Sequence, residues 1–397
     1  MSEAGFVCIG QVAECFSGYP FESKEFCPPG EGEARVFRGD NLKEGCSEWG
    51  AKEKRWKAIS PGLEKYQLKQ NDVLVGMDGS KVGKNWTRVD KGDLPALLGQ
   101  RVCRIRAGEF ADQDFIFHVF GSYDFKSYVE CVKTGTSIPH ISNTQIRDFG
   151  VFLPPLPEQK KIAEILSGID LRIRLGTQRV AQLETLLRSL GDKFFGHQSH
   201  HETKTIGQIF EVSSGTTPSR SRQDYFCTNG GTPWVKTMDL TDDYVRTTDE
   251  QLTSTGIHEG RAKIFPKGTL LIAMYGGWNQ IGRTGILTRD SSCNQAMSAL
   301  LPAKEVSPEF LNLQLLIRRS YWKGVAASSR KDPNITKLDV TDMPISVPAD
   351  HIQAEITNAL SSVLHQKRTE YSYLQNLNLL KNALASDLLS GRKRVSI

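Results

Sequence analysis

Residues 79–85 read Gly-Ser-Lys-Val-Gly-Lys-Asn, nearly the order of glycines and lysines that cradles a phosphate. The loop has one residue too few between its glycines, and Asn85 stands where a Ser or Thr would reach a magnesium ion, so nucleotide hydrolysis is not expected there. No GxGxxG opens a helix after a strand, and neither HExxH nor GxSxG occurs. The carboxylates are scattered, without the Asp…Glu-x-Lys grouping of a nuclease. Pro154-Pro155 lies in FLPPLP and lacks the Asn or Asp, and the trailing aromatic, with which an amino-methyltransferase grips a flipped base. Cys8, Cys15, Cys27, Cys46, Cys103, Cys131, Cys227 and Cys293 form no CxxC pair, which fits ordinary thiols in a reducing cytosol better than zinc or redox sites. His197, His200 and His201 cluster in HQSHHET, but no carboxylate or cysteine stands at ligand spacing, so this stretch reads as a linker. Catalytic and metal sites are therefore not expected on this chain.

The remaining polar material fits recognition of a polyanion. In the first half Ser23, Lys24, Arg38, Ser80, Lys81, Lys84, Thr134, Thr136 and His140 fall in expected loops. In the second half Arg220, Arg222, Lys236, Asn279, Gln280, Arg283, Ser328, Ser329, Arg330 and Lys331 do so. Arg and Lys neutralise phosphates, while Arg, Asn and Gln also pair with purine edges in a major groove. Tyr275 and Trp278 flank glycines and can stack or wedge; a hairpin or core role is the plainer alternative. Surface loops are polar in any protein. The stronger signal is that basic, glycine-rich loops occupy matching places in two copies while their residues differ.

That duplication runs through the chain. Residues 9–18 (IGQVAECFSG) return as residues 206–215 (IGQIFEVSSG) with six identities in ten. Residues 36–42 face 234–240, and 71–77 (NDVLVGM) face 268–274 (GTLLIAM), each followed by a polar loop. Short strands between Gly, Asn and Asp argue for a mostly β or α+β globule, the α+β class being favoured, with late helices near 115–134 and 308–324. Each globule then runs through a proline stop into a long helix. In the first helix the heptad seam is Ile162, Leu166, Ile169, Ile173, Val180, Leu183, Leu187 and Leu190, with Phe194 beyond. It implies roughly 50 Å of helix, and such a narrow stripe buries best against a helix of similar length. The second helix supplies one: Ile356, Leu360, Val363, Leu374, Leu377, Leu384 and Leu388, with Lys367, Glu370 and Lys381 interrupting the same seam. Ile141, Pro154, Gln159 and Ile162 in the run-in meet Ile335, Pro348, Gln353 and Ile356.

The expected organisation is a first globule at 1–155, a first helix at 156–196, a second globule at 203–348 and a second helix at 349–392. An antiparallel coiled coil is favoured over a parallel one, because a pseudo-twofold axis across it relates the halves with short connections. The basic tail GRKR (391–394) reads as a solvated end. A chain of 397 residues suits more than one domain, and a net charge of +5 permits an acidic partner without requiring one. No apolar run approaches a membrane span, and the first residues, with Glu3 and no basic stretch, do not read as a signal peptide, so a cytoplasmic protein is expected.

The order of globule, LPPLPEQKKI (153–162) leading into a long helix, second globule and a degenerate repeat of the same run-in resembles the specificity subunits of type I restriction-modification enzymes. DVLVGMDG (72–79) and TLLIAMYG (269–276) look like loops of that family's target recognition domains. PADHIQ (348–353) departs from the pattern by losing a proline and the glutamate, which leaves the start of the second helix less defined. The resemblance implies that each globule reads one half of a bipartite site on double-stranded DNA and that the helices set the spacer. It implies two modification subunits docked on the chain, binding S-adenosylmethionine and methylating a flipped adenine, and motor-nuclease restriction subunits using ATP and Mg²⁺. This chain would itself hold no cofactor and do no chemistry. The competing readings are a duplicated protein-binding scaffold, which would show no salt-dependent DNA affinity, and a divergent enzyme, which would act alone.

Overall fold

The computed structural model describes residues 4–28, 30–135, 137–196, 201–326 and 333–396. The chain divides into two compact units, one of residues 1–177 with 372–397, the other of residues 178–371. Both divisions fall inside a long helix, so Leu156–Phe195 and Asp350–Leu389 each contribute to both units.

In the first unit a four-stranded antiparallel sheet has the order Ala13–Ser17, Val102–Ala107, Val73–Gly76, Trp86–Arg88. The central strand is buried on both faces: Val73 and Val75 pack under the helices Gln113–Gly121 and Tyr123–Val132, while Leu74 packs with Phe37, Leu42 and Leu98. Its continuous apolar run has that physical origin. The strand Ala34–Phe37 pairs in parallel with Ala96–Leu98, and Gly5–Cys8 pairs antiparallel with Gly150–Leu153 just ahead of the long helix.

The second unit repeats this plan. Its sheet runs Val212–Ser214, Met297–Leu300, Leu270–Ala273, Thr284–Leu287, Asp243–Val245, and Leu270–Ala273 again splits its side chains between two cores. Thr232–Val235 pairs in parallel with Ser292–Cys293, and Glu202–Thr205 pairs with Pro344–Val347. The expected linker thus gives way to a strand at Glu202, while His197 and His200 lie outside the described residues. The helices expected near 115–134 and 308–324 are present in two pieces each, the later pair being Pro308–Ile317 and Tyr321–Val325.

Matching residues do matching work. The Gln11 side chain caps its own short helix by accepting from Cys8 N at 2.9 Å, and Gln208 accepts from Thr205 N at 2.7 Å. At Gly18 and Gly215 a Cβ would run into the carbonyl oxygens of Gly99 and Asn294, so both positions need glycine for close backbone approach. The repeated Pro-x4-Gln is a lock. Gln159 donates to the carbonyls of Pro154 (2.8 Å) and Phe110 (2.9 Å) and accepts from Asp112 N (2.8 Å). Gln353 donates to Pro348 (2.9 Å) and Glu305 (2.7 Å) and accepts from Ser307 N (3.2 Å). Asp112 and Ser307 each cap the helix that covers the sheet, so one carboxamide joins proline stop, long helix and globule.

The long helices are antiparallel within each unit. In the first, Asp170 meets Lys381 at 2.5 Å, and Ile162 and Leu166 share a core with Leu384 and Leu388. In the second, Glu184 meets Lys367 at 2.8 Å and Arg179 approaches Glu370 at 3.9 Å, while Leu187 and Leu190 share a core with Ile356, Leu360 and Val363. Every seam residue is buried or half-buried. The charged seam positions of the second helix are paired rather than broken. The C-terminal tail is not a solvated end: Arg394 grips the buried Glu158 with Nε and Nη2 at 2.8 and 2.6 Å, and Val395 N donates to the same carboxylate at 3.1 Å. That pairing holds the Glu158 carboxyl below its usual range.

Candidate nucleic-acid interface

In the first unit the turn Gly39–Asn41 follows the strand Ala34–Phe37, and the loop 78–84 follows the strand Val73–Gly76. The two face one another across a cleft of about 530 Å³. Of the expected contacts, Ser23, Arg38, Ser80 and Lys81 line it; sequence reasoning missed Lys43, Lys52, Asn85, Gln100 and Arg101, which line it too. Arg38 pairs with Asp40 at 3.3 Å and Lys43 with Glu48 at 3.1 Å. Lys52 and Lys81 form no ion pair among the described residues. The loop is shaped by Gly79 and Gly83, both at positive φ, and by Val82, whose side chain is buried. It is braced by Gly79 N donating to Pro139 O at 2.9 Å, which brings Thr134 and His140 beside it. Those two are exposed and bond to each other through Oγ1 and Nε2 at 3.0 Å. Lys84 is exposed at the far end of the loop, and Lys24 is exposed and paired with Glu22; neither lines the cleft. Thr136 lies outside the described residues.

The second unit builds the same pair of elements from different side chains. Its turn Thr237–Asp239 follows Lys236, and its loop 275–283 follows the strand Leu270–Ala273. Gln280 joins them by donating to Met238 Sδ at 3.0 Å. Ile281 is buried as Val82 is, and Gly282 sits against the Trp322 ring where a Cβ would collide. Gly276 and Gly277, at φ 110° and 75°, throw the tip outward, leaving Tyr275 and Trp278 exposed at 44% and 47%. Asn279 is exposed and Arg283 half-buried. Ser328, Ser329, Arg330 and Lys331 lie outside the described residues.

Other expected cations are already engaged. Glu250 takes Arg220 through both oxygens at 2.7 and 3.0 Å and Lys236 at 3.0 Å; Arg220 first, then Lys236, draw its carboxyl down to about 2. Arg220 also stacks on Phe226 and Trp234. Arg222 is gripped by Asp224 at 2.8 and 2.7 Å and lies over Tyr225. Among the described residues no group of His, Cys, Asp and Glu is placed to hold a metal ion, and no helix is long and apolar enough to cross a membrane.

Two copies of one scaffold, each turning the same pair of loops together with different side chains, define a duplicated recognition module. The family model for the type I restriction modification DNA specificity domain matches residues 1–185 and again residues 198–379, and the chain belongs to that family. It is 29% identical over 183 residues to the specificity subunit of the type I restriction enzyme EcoBI from Escherichia coli, covering 46% of this chain and 35% of that protein. It is 30% identical over 188 residues to the MjaVIII specificity subunit from Methanocaldococcus jannaschii, covering 45% of this chain and 42% of that one. These matches thus span less than half the length of either relative. The S subunit of the type I restriction-modification system from M. genitalium has a similar fold, with a TM-score of 0.63 at 16% identity over 98% of this chain and 96% of that chain.

Proposed function

We propose that this chain is the DNA sequence-recognition subunit of a type I restriction-modification complex. Each unit reads one half of a bipartite duplex site, and the long helices set the gap between the halves. The modification subunits dock on the chain and bring S-adenosylmethionine; restriction subunits bring ATP and Mg²⁺. This chain supplies no catalytic group and acts in the cytoplasm. The observation that carries the reading is the convergence of the same two loops in both units, cationic and polar around the cleft of the first unit and aromatic and amide-bearing in the loops of the second. A scaffold kept for reading different sequences has that form.

The test is methylome sequencing of a host that carries the modification partner, with and without this chain. Two unlike half-sites at a fixed gap are expected only when the chain is present. A methylation pattern indifferent to the chain overturns the proposal. Adding a four-residue turn to each helix lengthens each by about 6 Å, against about 3.4 Å per base pair, and should shift the preferred gap by one or more base pairs with both half-sites unchanged.

A further inference from the structure

The turn at residues 99–101, between Ala96–Leu98 and Val102–Ala107, is tied from several sides. Gly99 N donates to Phe37 O at 2.9 Å, Gln100 N to Tyr19 O at 2.7 Å, and Arg101 O accepts from Met77 N at 2.8 Å. Arg101 is held there at φ 64°, a left-handed conformation that a long side chain rarely adopts, and strain of this kind concentrates where a side chain must be aimed. Its Nη1 donates to Asp78 Oδ2 at 2.6 Å. Asp78 opens the braced loop and bridges to His140 through the backbone. The Arg101 side chain is still 63% exposed at the cleft, and no hydrogen-bond partner takes its Nε or Nη2 among the described residues.

The second unit makes the same backbone bond, from Met274 N to Ala296 O at 2.8 Å. There Ala296 has no side-chain donor to offer, and Tyr275 follows the shared methionine where Asp78 does in the first unit. The scaffold is kept at this spot and the chemistry is exchanged.

We infer that Arg101 is a specificity-determining residue of the first unit, oriented by Asp78 to read a guanine edge in the major groove of that unit's half-site. The inference rests on the proposed role in DNA recognition. A guanidinium with one nitrogen fixed by a carboxylate still presents two N–H groups as a planar fork to O6 and N7. A phosphate anchor needs neither a fixed plane nor a neighbouring carboxylate, which would weaken its pull on phosphate.

The test uses the full chain with its modification partner and compares methylomes of the wild type, Arg101→Ala, Arg101→Lys and Asp78→Asn. For the wild type, a guanine is expected in the half-site read by the first unit. Both Arg101 variants should lose preference at that one base pair by about 5- to 150-fold while the other half-site and the gap stay unchanged. Asp78→Asn should relax the same base pair. Retention of the preference in Arg101→Ala, or a uniform loss of methylation across all sites in that variant, overturns the inference while leaving the chain's role intact, and retention in Arg101→Lys alone overturns the planar fork, since a lysine can also reach O6 and N7. If the wild-type chain directs no pattern at all, the proposed role fails first.

Discussion

Replacing Gln159 by Leu keeps the volume of the side chain and removes the lock at the start of the first long helix. Gln159 is wholly buried, and its carboxamide serves two carbonyls and one N–H at 2.8–2.9 Å. Stranding each of these three groups costs about 1–3 kcal/mol, so the variant should lose roughly 3–9 kcal/mol, a large share of the about 5–15 kcal/mol that holds a typical domain folded. Gln353→Leu should cost less, because its bond from Ser307 N is 3.2 Å long. Denaturant unfolding gives the magnitude, and amide hydrogen exchange gives the place: Gln159→Leu should expose the Asp112 N–H and spare that of Ser307, with the reverse for Gln353→Leu. A loss below about 1 kcal/mol, or equal deprotection of both amides, would refute the idea that these carboxamides join helix to globule.

Lys367→Glu places like charges across the seam from Glu184 and should destabilise the chain, with Glu184→Lys restoring it; a double-mutant cycle should return a coupling of about 0.5–1 kcal/mol, and additive effects would dismiss the pair. His118 is buried, with Nε2 2.9 Å from Ser167 Oγ; burial first, then Lys381 and Arg88, push its pKa from 6.5 to about 3. The unfolded chain therefore binds the extra proton between those values, so stability should fall as pH drops through that window, by up to about 1.4 kcal/mol per pH unit, and His118→Gln should flatten that part of the denaturation profile. Gly18→Ala and Gly215→Ala should each lower the melting temperature, because each added methyl meets a carbonyl oxygen of the facing turn; unchanged melting of either would contradict the close approach.

Much of this protein was legible in its residues. Steps of three and four from Ile162 to Leu190 dictated the buried face of the first helix, since side chains at that spacing share one side whatever surrounds them. The return of IGQ, Pro-x4-Gln and the Gly18/Gly215 pair announced the duplication, because each position answers a local need that both copies share. Charge along the chain was a poorer guide. Lys367 and Lys381 look like faults in a seam until Glu184 and Asp170 stand opposite, and Arg220 and Lys236 look free until Glu250 reaches both. Arg394 reads as a loose tail because its partner, Glu158, lies 236 residues earlier in the chain. Arg101, between two strands, carried no motif at all; its exposure and aim come from a positive φ and from Asp78. Helical and strand patterns are set by near neighbours and so survive in the sequence. Whether a charge is free to meet a partner depends on groups that only folding brings within a few ångströms, and that was decided by the tertiary structure.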